Sequence, residues 1–234
     1  MLNIKCFFFN PFRTCCYVAW KDGSGACAVV DPGCSTESER AQLDTFLAAK
    51  GLRPEKILLT HGHFDHIFGV APLVEKYGCP VCLHPADGPL LTDASNWTRL
   101  PGLDRPDGSF PRNDIREGDL LTIGNDLTFK VIETPGHTLG GVSYYDEADS
   151  VLFSGDTLFY GTIGRTDLAG GDYDTIIRSI MDKLMGLPGG TEVLPGHGCA
   201  TTIAREAASN PFLIPFNEPE PDWTQDGISL DNDL

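Results

Sequence analysis

The chain has 234 residues, 41% of them hydrophobic, with 26 glycines, 17 prolines and a formal net charge of −16. That length fills one larger α/β domain or two small ones, and the composition is globular rather than disordered or fibrous. The acidic balance argues against nucleic-acid and anionic-membrane partners, because such binding leans on Lys and Arg to neutralise phosphate. No apolar stretch is long enough to span a bilayer. Phe7-Phe8-Phe9 is too short for a signal-peptide core and is interrupted at once by Asn10-Pro11 and Arg13. Eight cysteines without an export signal are expected as reduced thiols in a cytoplasmic protein, where the sequon Asn96-Trp97-Thr98 would stay idle.

In chain order, Cys15–Trp20 and Ala26–Val30 read as strands joined by the turn Asp22-Gly23-Ser24-Gly25. Thr36 to Lys50 reads as an amphipathic helix, with Ser35 or Thr36 as N-cap and Gly51 as its stop. Ile57-Leu58-Leu59, bounded upstream by Pro54, reads as a buried strand ending at Thr60. A helix is expected over His66–Tyr77, from Ile67, Val70, Leu73, Val74 and Tyr77, and a short strand over Pro80–His84. Strand–helix–strand alternation favours a layered α/β fold. Pro85 to Arg116, with weak periodicity and many Pro, Gly and Asp residues, is expected as a long surface excursion.

Beyond it the pattern changes to hairpins: Asp119–Ile123 with Leu127–Glu133, then Val142–Tyr145 with Ser150–Ser154. A second amphipathic helix is expected over Tyr173–Met185, a last strand over Glu192–Leu194 and a helix near Thr201–Ser209. From Glu206 onward there are seven acidic residues and no Lys or Arg. The expected organisation is one domain over residues 1–216 and an acidic tail over 217–234, lying on the surface or frayed.

Chemistry concentrates at strand ends. Residues 60–66 read T-H-G-H-F-D-H, placing three of the six histidines in one heptad. Imidazoles and a carboxylate gathered in this way suit a borderline divalent ion such as zinc, iron or manganese. Three further segments share the pattern of strand, tight turn and ligand-type side chain: Pro135-Gly136-His137, Ser154-Gly155-Asp156 and Pro195-Gly196-His197. Proline stops the ladder and glycine permits the sharp turn that aims the imidazole inward.

H-x-H-x-D-H, P-G-H-T, S-G-D-T-L-F and P-G-H-G together resemble the metallo-β-lactamase superfamily. Within it the chain is most similar to glyoxalase II-like hydrolases and the related persulfide dioxygenases. The resemblance runs from about Cys15 to Phe212 and includes V-D-P-G at Val30–Gly33 and G-R-T-D at Gly164–Asp167. It implies a four-layer αββα sandwich, an α/β (α+β) arrangement, with the metal site at one edge between the sheets. Carried over by position, His61, His63 and His137 form the first metal site, Asp65, His66 and His197 the second, and Asp156 bridges them.

The implied cofactors are two divalent ions, zinc first and iron or manganese next, activating a bridging hydroxide that Asp65 orients. Asp31, at a buried strand end, fits either the family's supporting carboxylate or a simple turn aspartate. Arg165 fits contact with an anionic substrate group or an ion pair with Asp167, and Tyr160, just beyond Asp156, is a second candidate substrate contact. Cys79 and Cys82 lie within a short strand, where residues three apart face opposite ways, so they are expected as structural thiols and His84 as a non-ligand.

The expected activity is hydrolysis of a thioester by two metals. The alternatives are a persulfide dioxygenase with a single iron on His61, His137 and Asp156, or another ester or lactone hydrolase. A structural zinc in a non-catalytic module is disfavoured, because such sites are closed and cysteine-rich. Two departures from larger glyoxalase II enzymes bear on the thiol. No room is expected after the last ligand helix for their helical C-terminal domain, and Thr162–Arg165 stands where a Lys and a Tyr are expected.

Overall fold

Successive residues of a strand point to opposite faces, and in this chain both faces of the central strands are apolar, so each sheet needs cover on two sides. In the structure, a computed structural model describing residues 1–93, 97 and 102–217, that cover is supplied by four layers. Strands β1 (Leu2–Phe9), β2 (Thr14–Lys21), β3 (Ala26–Val30), β4 (Arg53–Leu58), β5 (Val81–Leu83) and β6 (Arg112–Asp114) form one six-stranded sheet in that order. The second sheet runs β14-β13-β10-β9-β8-β7, built from β7 (Leu120–Ile123), β8 (Leu127–Glu133), β9 (Val142–Asp146), β10 (Val151–Gly155), β13 (Glu192–Pro195) and β14 (Thr201–Thr202). A small hairpin, β11 (Leu158–Phe159) with β12 (Thr162–Ile163), stands apart.

Three buried clusters fill the gaps between layers. Cys15, Tyr17 and Ala19 of β2, Leu58 of β4, Phe129 and Val131 of β8 and Phe153 of β10 meet between the two sheets. The alternate residues Cys16, Val18, Ile57 and Leu59 turn outward onto α1 (Glu37–Lys50), α2 (Phe64–Ile67) and α3 (Val70–Tyr77). Behind the second sheet, Leu152 and Val193 pack on α4 (Tyr173–Arg178) and α5 (Ile203–Ser209). A last short helix, α6 (Ile214–Asn217), follows. This is the αββα sandwich. Leu43 and Leu47 of α1 lie one turn apart and are fully buried, each stabilising the layer by roughly 1.5–3 kcal/mol. Thr36 caps that helix, accepting from the Glu39 amide while Glu39 returns the bond to the Thr36 amide. Cys79 and Cys82 sit in different clusters, facing opposite ways, and all eight cysteines are free thiols.

Several elements differ from expectation. The N-terminal segment is a strand, pairing with β2 from Leu2↔Lys21 to Phe9↔Thr14; the triple phenylalanine packs, with Phe7 stacked on Phe9 and edge-on to Phe46. Pro54 lies inside β4 rather than before it, opposite the register shift at Cys27/Ala28, where a missing amide is tolerated. Residues 85–116 are not merely a surface excursion. Pro85–Leu91 is a 3-10 helix with Asp87 and Leu91 buried, and Arg112–Asp114 extends the first sheet. The expected helix over Tyr173–Met185 loosens after Arg178 into a π-helical turn, Ser179–Leu184, and Thr201-Thr202 form β14 instead of opening α5. Asn96 and Thr98 of the sequon and tail residues 218–234 lie outside the described residues.

The single helix expected over His66–Tyr77 is two, broken between α2 and α3 at Gly69. There the chain crosses the strand-end turn Pro32–Cys34 so closely that Gly69 N–H donates to Pro32 O at 2.7 Å. A Cβ at Gly69 would land on Cys34 Sγ and 2.8 Å from Pro32 O. Gly69→Ala is therefore expected to lower stability by about 1–3 kcal/mol, read as a shifted midpoint in urea unfolding.

Candidate metal centre

Strands β8, β10 and β13 run in one direction, because β10 is antiparallel to β9, β9 to β8, and β13 is parallel to β10. Their carboxyl ends therefore share one edge, where His137, Asp156 and His197 emerge. In the first sheet β3 and β4 are parallel, so Asp31 and the 61–66 segment also leave from one edge. The two edges are joined by Val142 N–H donating to Thr60 O at 2.8 Å and Tyr144 O–H donating to Leu59 O at 2.7 Å. The seven histidines and aspartates expected at the site all arrive here.

They form two clusters. His61, His63 and His137 each present a ring nitrogen within 4.8 Å of the others, and Asp65, His66 and His197 make a second such group. Asp156 faces both: Oδ2 lies 3.5 Å from His137 Nε2 and 3.5 Å from His197 Nε2, and Oδ1 lies 3.6 Å from His66 Nε2. Asp65 Oδ2 stands 3.5 Å from His66 Nε2 and 3.3 Å from His197 Nε2.

The outer nitrogens are held by the protein. His137 Nδ1 donates to Arg165 O at 2.8 Å and His197 Nδ1 to Phe12 O at 3.1 Å. Thr60 donates its hydroxyl to Asp31 Oδ2 at 2.6 Å, so its oxygen accepts from His61 Nδ1 at 3.0 Å. His66 Nδ1 lies 3.0 Å from Asp31 Oδ2. These contacts fix each ring with Nε2 turned toward the centre. Asp31 thus sits behind a ligand-type histidine of each cluster, buried, with φ at +47°; a non-glycine residue held there is strained and needs support.

Inward, His61 Nε2, His66 Nε2, His137 Nε2 and Asp156 Oδ1 are buried and have no hydrogen-bond partner. Buried polar atoms are almost always satisfied, and these converge on one place with a mixed imidazole and carboxylate donor set. A pair of divalent cations fits that pattern. Electrostatics agree: burial drives His61 well below the ordinary imidazole range and His63 down to about 4, leaving both neutral. Burial alone would lower His66, but Asp65, Asp31 and Asp156 push it up to about 10. Burial opposes ionisation of Asp65, yet His66, His197 and the hydroxyl of Thr14 hold it well below the usual carboxylate range.

The centre floors a cavity of about 320 Å³, walled by Phe12, Phe64, Leu90 and Leu168, with Arg165 at its side. Arg165 is bound to Asp167 through two bonds of 2.8 Å. Tyr160 is not part of this lining; it lies at the tip of the β11–β12 hairpin, its ring covered by the Arg205 guanidinium 3.5 Å away. His84 is apart from the centre, 3.1 Å from Glu133 Oε1. Gly196 departs from the sharp-turn expectation. Its φ is not positive, and what requires glycine is closeness: a Cβ would land on Asp156 Oδ1 and 2.8 Å from His66 Cε1.

Residues not singled out in the sequence also hold the site. Thr14 donates to Asp65 Oδ2 at 2.8 Å, and Asn10 Nδ2 donates to Asp65 O at 2.9 Å. Asp87, fully buried, accepts from Gly62 N–H, Thr138 O–H and Gly140 N–H. Burial pushes its carboxyl up, and those donors pull it back. Positive φ at Asn10 is invisible in sequence, although Asn before Pro is a turn signal.

The same chain matches known proteins. The sequence profile of the metallo-beta-lactamase superfamily covers residues 10–197. Hydroxyacylglutathione hydrolase GloC of Haemophilus influenzae is 35% identical over 214 residues, 91% of this chain and 98% of that protein. The crystal structure of BLEG-1 B3 metallo-beta-lactamase superposes with a TM-score of 0.82 at 40% identity, covering 90% of this chain and 99% of that one. TTHA1623, in a di-iron-bound form, does so at 0.78 and 40%, covering 89% and 100%. Among the described residues no helix is long and apolar enough to cross a membrane. With the fold, the strand-end clusters and a profile match across most of its length, the chain belongs to the metallo-β-lactamase superfamily.

Proposed function

We propose that the protein is a metal-dependent thioester hydrolase, with one ion held by His61, His63 and His137, a second by Asp65, His66 and His197, and Asp156 shared. Zinc suits the donor set, and the di-iron form of TTHA1623 supports iron as the alternative. When bound, such ions would lower the pKa of a coordinated water toward ~7 and would polarise a substrate carbonyl.

The observation that carries the thioester reading is the composition of the cavity. Its described lining contains no Tyr, Lys, Ser or Cys that would hand a proton to a leaving group. His137 and His197 already commit their Nδ1 protons to backbone carbonyls, and Asp65 is held ionised. Leaving groups stable as anions are favoured by such a site, and a thiolate, with a thiol pKa of about 8.5, departs unprotonated. Similarity to a protein named hydroxyacylglutathione hydrolase supports the same reading. Asp65, anchored by Thr14, accepts a hydrogen bond from the attacking water and so orients it. Phe12, Phe64, Leu90 and Leu168 exclude bulk water and pack against apolar parts of the substrate.

Metal analysis of the purified protein, paired with assays on S-lactoylglutathione, on a chromogenic β-lactam and for oxygen uptake with glutathione persulfide, tests this. About two ions per chain with thioester turnover is the expected result. One iron with oxygen uptake, or β-lactam cleavage with the thioester untouched, would overturn it.

A further inference from the structure

The first cluster is split between sheets. His61 and His63 follow β4 in one sheet, and His137 follows β8 in the other. One buried side chain spans the seam beside them. Asp87 Oδ2 accepts from Gly62 N–H at 2.9 Å and from Thr138 O–H at 2.8 Å, and Oδ1 accepts from Gly140 N–H at 2.6 Å. Gly62 lies between His61 and His63, and Thr138 adjoins His137. Both flanks are also shaped for its approach: a Cβ at Gly62 would come 2.9 Å from Asp87 O, and one at Gly140 would come 2.7 Å from Asp87 N and 2.8 Å from Oδ1.

We propose that Asp87 is a positioning residue that sets the spacing of the His61–His63 loop against the His137 loop, and thereby the affinity of the first ion. The inference rests on the metal-holding part of the proposed function and not on its substrate. Asp87 touches no ligand atom. It acts by fixing the backbone on which three imidazoles stand, as outer-sphere groups do for metal ligands. The tie is selective, because the second cluster is anchored elsewhere: Asp65 by Thr14 and Asn10, His66 by Asp31, and His197 by Phe12 O. The fold does not hang on it, since Val142 to Thr60 and Tyr144 to Leu59 also join the sheets.

Asp87→Asn keeps the volume but offers one acceptor oxygen, and its amide meets a donor on the other side. In the full chain carrying His197→Ala, which leaves the first cluster intact, zinc competition against a chromophoric chelator is expected to show a roughly 10–100-fold weaker site on adding Asp87→Asn. In a His61→Ala background, which leaves the second cluster, the same substitution changes affinity by less than about threefold. Leu184→Ala, in the layer behind the second sheet, controls for lost stability, lowering the melting temperature without moving first-site affinity. Equal weakening of both sites, no change at either, or a first-site loss with Leu184→Ala as large as with Asp87→Asn would overturn the proposal. Should zinc bind as expected while S-lactoylglutathione is untouched, the substrate reading falls and this one stands.

Discussion

Asp156→Asn is expected to reduce turnover at least ~1,000-fold, a barrier increase of about 4 kcal/mol, and to leave one tightly held ion per chain instead of two. Asp156 is the acid that faces both clusters, with Oδ2 3.5 Å from the Nε2 atoms of His137 and His197 and Oδ1 3.6 Å from that of His66. Oδ1 is buried and has no hydrogen-bond partner, so an acceptor oxygen is held in place at the point where the two clusters meet. The asparagine variant is nearly isosteric and fits the same position. It loses the negative charge, and its amide group would turn donor hydrogens toward a cation. The metal-free variant should therefore melt close to the parent, separating lost ion binding from lost fold. Metal content by elemental analysis and turnover on S-lactoylglutathione check this together. Two ions per chain with near-parental turnover would mean that Asp156 is not shared between them.

Most ligand-type residues could be read from sequence because His61, His63, His137, Asp156 and His197 stand where a β-compatible run meets Pro or Gly, and such punctuation survives in one dimension; Asp65 and His66 fall on α2. Single strands could be read for the same reason, since a short continuous apolar run bounded by Pro or Gly names a buried strand before its partners are known, whereas the four-layer arrangement was implied by the family resemblance. What supports the ligands could not. Phe12 and Arg165 contribute carbonyl oxygens, and a backbone acceptor has no residue signature. Asp87 was hidden in a segment whose Pro85, Gly88 and Pro89 erase any helical period, and its donors lie 25, 51 and 53 positions away in the chain. Tyr160 shows the opposite error. Sequence adjacency to Asp156 suggested the cavity, but the turn between β11 and β12 carries the side chain to Arg205. The Phe7–Phe9 run, three aromatics cut short by Asn10-Pro11, carries no alternation that marks a strand, and only its pairing with β2 makes it half of a long antiparallel pair.

Loading zinc into the metal-free chain near neutral pH is expected to release at least about one proton per chain, with second-ion affinity rising about tenfold per pH unit until the release fades near pH 10. The proton comes from His66. Burial works against its charge, but Asp65, Asp31 and Asp156 surround it and hold its pKa at about 10, so without a cation it stays protonated. His61 and His63 are pulled down by burial and contribute lone pairs with no proton to lose. The same two shifts set opposite slopes in the stability of the metal-free chain. His66 has a folded pKa above its ordinary 6.5, so its contribution is fully present below pH 6.5 and is lost as pH rises through about 10. His63, with a folded pKa near 4, contributes stability above pH 6.5 that is lost as pH falls through 4. The metal-free chain should thus lose His66 stabilisation on the alkaline side, whereas the loaded chain should not, because the ion has already replaced that proton. Calorimetric titration in buffers of different ionisation enthalpy counts the protons, and melting temperatures from pH 6.5 to 10 compare the two forms. Proton-free binding at neutral pH, with parallel melting profiles, would show that His66 is neutral before the ion arrives.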